Sequence, residues 1–283
     1  MILFTRKIGR IELHIQIDED LYNANLSIFN CIFSTFRKNK AYISDESSMR
    51  DSIYIFSTDV TLRNLENESY FIQCNTCDPL WVTELIGILE EWYATTMKCT
   101  ILHGSCIRLL DKNILLMGAR KFGKTTLTGY LALNRNAEYL DDDCVYFFED
   151  EIWGFNMPIA VRKNVDKLPL NNLVCTAYDG ENIERMLFRP FDCIDKLSSI
   201  EFILFPVYNT ENINRAIEIK KGVLFNKIIN NVRHSQSISK LFHDVCELSK
   251  DIKAFSIWYS TSENAYRIIN SIICKEWISE AFC

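Results

Sequence analysis

The chain has 283 residues, of which 48% are hydrophobic and 24% charged, the balance of an ordinary folded protein with enough apolar material for a buried core. Its formal net charge of -6 gives no overall positive field to attract nucleic acid or an anionic membrane. No apolar run approaches the ~20 residues of a membrane span, and Met1–Lys7 meets charge too early for a signal peptide, so a cytoplasmic protein is expected.

In chain order, Ile11–Ile17 alternates strictly between apolar and polar residues and predicts a half-buried strand, with His14 on its polar side. A short helix is expected over 23–36, a strand over 52–56, an acidic, Asn-rich turn over 64–69 and a strand over 69–73. Residues 1–77 thus form a small α/β region, which suits docking of a partner or substrate. Cys74 and Cys77 make the lone CxxC among 11 cysteines; with no second ligand pair it reads as a loop, and the remaining cysteines as reduced thiols. Asp78-Pro79 then starts a helix whose Trp81, Leu85, Ile88, Leu89 and Trp92 share one apolar, core-facing stripe.

A long strand over 100–110, a turn at Asp111–Asn113 and the apolar strand Ile114–Met117 lead straight into Gly118-Ala119-Arg120-Lys121-Phe122-Gly123-Lys124-Thr125, which fits GxxxxGK[ST]. This is the pattern of a phosphate-binding loop. Two glycines let the backbone curl until its N–H groups point at phosphate oxygens, and the positive end of the next helix adds to the attraction. Lys124 reaches the β- and γ-phosphates, the Thr125 hydroxyl is placed for Mg²⁺, and Thr126 continues the binding segment. The helix carries Leu127, Tyr130, Leu131 and Leu133 and ends near Asn134–Asn136.

Asp141-Asp142-Asp143 follows at the mouth of the apolar strand 144–148. Adjacent carboxylates repel one another and are ordinarily a solvated turn, but beside a triphosphate and Mg²⁺ that charge has a partner. One carboxylate can accept the proton of an attacking hydroxyl while its neighbour holds the metal. Arg162 and Arg189 are candidate cations for the transferring phosphoryl group. A buried strand over 200–207, a largely helical stretch over 221–250 in which His234 and His243 have no assigned role, a strand over 254–259 and a helix over 262–272 complete one domain, 78–283. Neither repeats nor a Pro/Gly-rich linker interrupt it.

His103-Gly104-Ser105 on a strand, the loop Gly118–Thr125, a helix and then Asp142-Asp143-Cys144-Val145 together resemble the catalytic domain of HPr kinase/phosphorylase. The likeness is closer to the shorter HPr-kinase-like proteins of bacterial gene clusters, some of which tailor lasso peptides. It covers residues 79–148 well and weakly extends through 158–162 and the last strand and helix. The nearness of the acidic pair to the loop is its most specific part. The resemblance implies an α/β fold of the HPr kinase/PEP carboxykinase type with a mixed sheet and a P-loop. It also implies a histidine near the reacting phosphate (His103), a loop lysine and hydroxyl (Lys124, Thr125), a proton acceptor (Asp142) and a carboxylate supporting metal and geometry (Asp143). Asp141 precedes the pair as an extra acid, and the Glu-Arg-Gly signature of true HPr kinases is not visible. Neither HPr as substrate nor the reverse phosphorylase reaction is therefore carried over.

The expectation is an ATP- and Mg²⁺-dependent kinase acting on a hydroxyl, a Ser or Thr of a peptide or small protein. A nucleotide-binding partner or chaperone that transfers nothing, and a kinase of a small metabolite alcohol, are the alternatives. No nucleic-acid or membrane partner is expected, and a homo-oligomer is left open.

Overall fold

The computed structural model describes residues 2–8, 11–24, 26, 29, 37–40, 52–57, 62–66, 69–74, 87, 98–119, 121–148, 151–162, 168–178 and 184–274. The CxxC, through Cys77, and the helix expected over 78–92 with its aromatic stripe, residue 87 apart, lie outside them. The chain divides into two units, Met1–Tyr93 with Val174–Leu187, and Ala94–Leu173 with Phe188–Cys283.

In the first unit the alternation at Ile11–Ile17 builds an inner strand, with Ile15 and Ile17 fully buried. The strands are β1 (Ile2–Ile8), β2 (Ile11–Ile17), β3 (Arg37–Lys40), β4 (Ser52–Ser57), β5 (Leu62–Glu66) and β6 (Ser69–Cys74), in spatial order β3-β1-β2-β4-β6-β5. The pairs β2/β4 and β4/β6 are parallel and the others antiparallel, so the sheet is mixed. The helix begins earlier than its apolar residues suggested, at Glu19. Asp18 Oδ1 accepts from the main-chain N–H groups of Asp20 and Leu21, a cap that starts the helix there. Tyr22 lies between Phe4 and Phe29, with ring centroids 5.8 and 5.9 Å away. The expected turn over 64–69 is mostly strand, because Leu62–Glu66 pairs along Ser69–Gln73 and only the two intervening residues connect them.

The second unit contains β7 (Thr100–Leu102), β8 (Gly104–Leu109), β9 (Lys112–Met117), β10 (Glu138–Asp141), β11 (Val145–Phe148), β12 (Glu151–Trp153) and β13 (Ile159–Arg162). β14 (Leu173–Tyr178) and β15 (Glu184–Phe188) fall mostly in the first unit. β16 (Lys196–Leu197), β17 (Phe202–Tyr208), β18 (Arg215–Glu218), β19 (Val232–His234) and β20 (Lys253–Tyr259) complete the second. One six-stranded sheet runs β10-β8-β9-β17-β20-β18, with β9, β17 and β20 parallel and the rest antiparallel to their neighbours. A five-stranded antiparallel sheet runs β16-β12-β11-β7-β19. Leu102, Val145 and Phe147 of the smaller sheet share a core with Cys106, Leu115, Met117, Ile203 and Phe205 of the larger. The fold is mixed α/β with mixed sheets. Among the described residues no helix is long and apolar enough to cross a membrane.

Two corrections bear on the site. The strand expected over 100–110 is two strands in two different sheets, broken at His103. The helical stretch over 221–250 is two helices, Lys221–Ile229 and Ile238–Ser249, separated by β19. The polar run Asn230-Asn231 ends the first helix, and Ser237 opens the second by accepting from the Lys240 N–H.

Candidate functional site

β9 runs between β8 and β17, and its Ile114–Met117 are all within 1% of complete burial, which is why that run is apolar at every position rather than alternating. It delivers the chain at Gly118 into a loop of unusual dihedrals: φ is 140° at Gly118, 71° at Lys121 and 93° at Gly123. Gly123 is the N-cap of the Lys124–Asn134 helix and no side chain caps it, so the first-turn N–H groups keep their pull on an anion. The need for glycine there is twofold. Its φ is left-handed, and a Cβ would overlap the hydroxyl of Tyr259, which donates instead to the Gly123 carbonyl at 3.3 Å. The Tyr208 N–H donates to the Phe122 carbonyl at 3.3 Å, so the ends of β17 and β20 brace the loop. At the helix's far end Arg135 and Tyr130 both bond to Glu263 of the Ser262–Ile273 helix.

Lys124 is 5% exposed. Its ammonium donates to the carbonyls of Gly118 at 2.7 Å and Ala119 at 3.2 Å, and lies 3.1 Å from His103 Nε2. Burial first, then the charge of Lys124, lowers the pKa of His103 below 6.5, so the ring is neutral at pH 7. With a charged lysine at Nε2, the ring's proton belongs on Nδ1, which faces Asp143 Oδ1 at 3.4 Å.

His103 owes its place to a strand crossing. The chain leaves the smaller sheet after Leu102, turns at His103 and enters the larger sheet at Gly104. Gly104 permits that turn, since a Cβ on it would stand 2.9 Å from the Leu116 carbonyl oxygen of β9. Asp142–Cys144 make the reverse crossing, from β10 to β11. Register sets the two crossings side by side: Cys106 pairs with Asp141 and Leu102 with Val145.

The three acids then separate by role. Asp141 is buried, with its carboxylate accepting from the N–H groups of Asp142 and Phe155, and it shapes the crossing. Asp142 accepts from the Ser105 hydroxyl and from that of Thr125. Its pKa is raised to about 6, by burial and then by the charge of Asp143, against the lowering influence of those two hydroxyls and Lys124. Asp143 has a left-handed φ of 74°, a conformation Asp tolerates better than most residues. Its side chain is 58% exposed, between His103 on one side and Arg233 on the other, with Arg233 Nη2 3.4 Å from Oδ2.

The structure thus brings together His103, Lys124, Thr125, Asp142 and Asp143. Ala119, Lys121 and Phe122 lie exposed in the loop, Thr126 is half-buried on the helix, and Arg120 lies outside the described residues. Arg162 ends β13 exposed. Arg189 has its main chain bonded to Asn172 and its charge felt by Cys193. Three contributors escaped sequence reasoning. Ser105 lies two residues after His103, beyond Gly104. Asn231 accepts at its side-chain oxygen from the Gly118 N–H at 3.2 Å and at its main-chain oxygen from the His103 N–H at 2.6 Å. Arg233 reaches Asp143 and donates to Cys144 Sγ at 2.9 Å. The last two arrive because β19 pairs with β7, Val232 opposite Leu102.

No family model matches the chain, and no curated protein matches it. Among solved structures it is similar to the HPr(Ser) kinase/phosphatase from Coxiella burnetii. The match covers 62% of this chain and 92% of that one, at 10% sequence identity and a TM-score of 0.31. So distant a likeness decides no chemistry, and what the site can do is read from its own atoms.

Those atoms offer cationic and N–H donors on the loop side, and carboxylates with a neutral imidazole on the other. No cluster of three or more His, Cys, Asp or Glu able to hold a metal by itself occurs among the described residues. A Thr hydroxyl bonded to a half-buried carboxylate instead suits Mg²⁺, which commonly takes one or two protein oxygens and completes its shell with phosphate and water.

Proposed function

We propose that this chain is a phosphotransferase that binds ATP at the Gly118–Thr125 loop, in the manner of a P-loop, and moves the γ-phosphoryl group to a hydroxyl. The acceptor we assign is a Ser or Thr of a peptide or small protein. The observation that carries this reading is Asp142, a carboxylate with a pKa of about 6 held between Ser105 and Thr125 beside the loop lysine. Binding alone requires no base poised near neutrality at that place; transfer from a hydroxyl does.

In this mechanism the loop N–H groups and Lys124 hold the β- and γ-phosphates, Lys124 exchanging its carbonyl contacts for phosphate oxygens. Thr125 and Asp143 would hold Mg²⁺, which would neutralise charge developing on the phosphates, and Asp142 is left free to act as the base. Asp142 accepts the proton of the incoming hydroxyl, while Ser105 fixes the orientation of its carboxylate. His103, neutral, keeps Lys124 and Asp143 in register.

Incubation with ATP labelled at the γ-phosphate, followed by separation into protein, peptide and small-molecule fractions, tests the proposal. Label in a peptide or protein fraction that disappears with Asp142→Asn supports it. Undiminished transfer by that variant overturns it.

A further inference from the structure

We propose that Arg233 is the group that reads the terminal phosphate of the nucleotide, and that Asp143 holds it in place until the nucleotide arrives. The inference rests on the phosphate-binding reading of the Gly118–Thr125 loop and deepens it.

Four side chains touch in succession from the loop: Lys124, His103, Asp143 and Arg233. Successive polar atoms lie 3.1, 3.4 and 3.4 Å apart. Lys124 is the cation at the loop end, and Arg233 is the cation at the end nearer solvent. Because Asp143 adjoins Asp142, the outer end of the series lies on the side of the proton-accepting carboxylate, where the reacting phosphate must sit.

The Asp143–Arg233 pair is built to be exchanged. Its side chains are 58% and 29% exposed, and Arg233 Nη2 stands 3.4 Å from Asp143 Oδ2, longer than a charge-assisted hydrogen bond. A pair so exposed contributes little to stability and opens at small cost. A terminal phosphate accepts two parallel N–H···O bonds from guanidinium as a carboxylate does, but carries more negative charge and a third acceptor oxygen, so it is the better partner for Arg233. The backbone aims the side chain: β19 is hydrogen-bonded to β7 beside His103, and Asn231, two residues earlier, ties the same segment to Gly118. Arg233 is therefore carried by a segment fastened to both halves of the site.

The test is equilibrium binding of ATP and of ADP, measured by calorimetry in excess EDTA, to the wild-type chain and to Arg233→Gln, Arg233→Lys and Asp143→Asn. The expected result for Arg233→Gln is ATP affinity lower by roughly 10- to 100-fold, with ADP affinity within about threefold of wild type. Arg233→Lys should recover part of the loss, as a point charge without the fork. Asp143→Asn should tighten ATP binding, since it frees Arg233 and removes a like charge, whereas an arginine that merely positioned Asp143 would make the two variants behave alike. ATP and ADP affected equally by Arg233→Gln, or neither affected, overturns the inference while leaving the loop's role intact. A wild-type chain that binds neither nucleotide overturns both.

Discussion

The two halves of the site are made in different ways. The Gly118–Thr125 loop is one continuous stretch whose geometry comes from its own residues: an apolar strand, two glycines at positive φ and a helix start. The opposing half comes from three separate places, the His103 crossing, the Asp142–Cys144 crossing and the Asn231–Arg233 strand, which meet because two sheets exchange strands at that point. In the proposed reaction the contiguous half would bind the phosphates and the assembled half would supply the base. A group gripped by a local loop acquires chemistry only when tertiary structure supplies a base of the right pKa.

That division can be broken most strongly at Asp142. Asp142→Asn should lower transfer by about 10²- to 10⁴-fold while nucleotide affinity stays near wild type, as measured by γ-phosphate transfer alongside equilibrium binding. Comparable losses in both would show that the halves are not separable.

Gly123→Ala strikes the contiguous half through its support. A left-handed φ costs a Cβ about 1–2 kcal/mol, and the overlap with the Tyr259 hydroxyl adds about 1–3 kcal/mol. Denaturant unfolding should register the sum, and adding Tyr259→Phe should restore part of it. If the second substitution restores nothing, the brace from β20 is not the constraint.

A third effect is pH-dependent. The pKa of Asp142 is raised in the folded chain, to about 6 from an ordinary 3.8. Its protonated form therefore contributes stability that is full below the unfolded value and is lost as pH rises through 6. Asp142→Asn cannot ionise and keeps that contribution. Its stability advantage over wild type should grow between about pH 4 and 6 and level near 1–3 kcal/mol, read from unfolding curves at fixed salt. Over the same range wild-type transfer should fall as the pH drops, because the base takes up its proton.

The smallest effect sharpens the contact between the two halves. The Ser105 hydroxyl favours the charged form of Asp142, so Ser105→Ala should move the acid limb of the transfer rate to higher pH by about half to one unit. A limb that stays in place would mean that Thr125 and Lys124 set the carboxylate without help.

The legible parts share a property: each is announced within a few residues. Ile114–Thr125 declares a strand, a loop and a helix in order, and the strands over 202–208 and 253–259 announce themselves by apolar runs. Asp142 and Asp143 stand out in the sequence because adjacent carboxylates near such a loop have a chemical use. Other features were not legible. Nothing in Arg233 or Asn231 distinguishes them from surface residues, since their importance lies in the pairing of β19 with β7, across a wide sequence separation. The run over 100–110 read as one strand because His103 and Gly104 do not interrupt its apolar character; the break comes from the close approach of Gly104 to the β9 backbone.

The sequence by itself determined the loop, its supporting strand and helix, and the presence of an acidic group close behind them, because those features depend on backbone conformation and on neighbours along the chain. Tertiary structure alone decided which acid is buried as a support, which is poised near neutrality and which faces an arginine. Burial and the charges of partners from distant strands set those properties, and a carboxylate's pKa responds to what surrounds it in space.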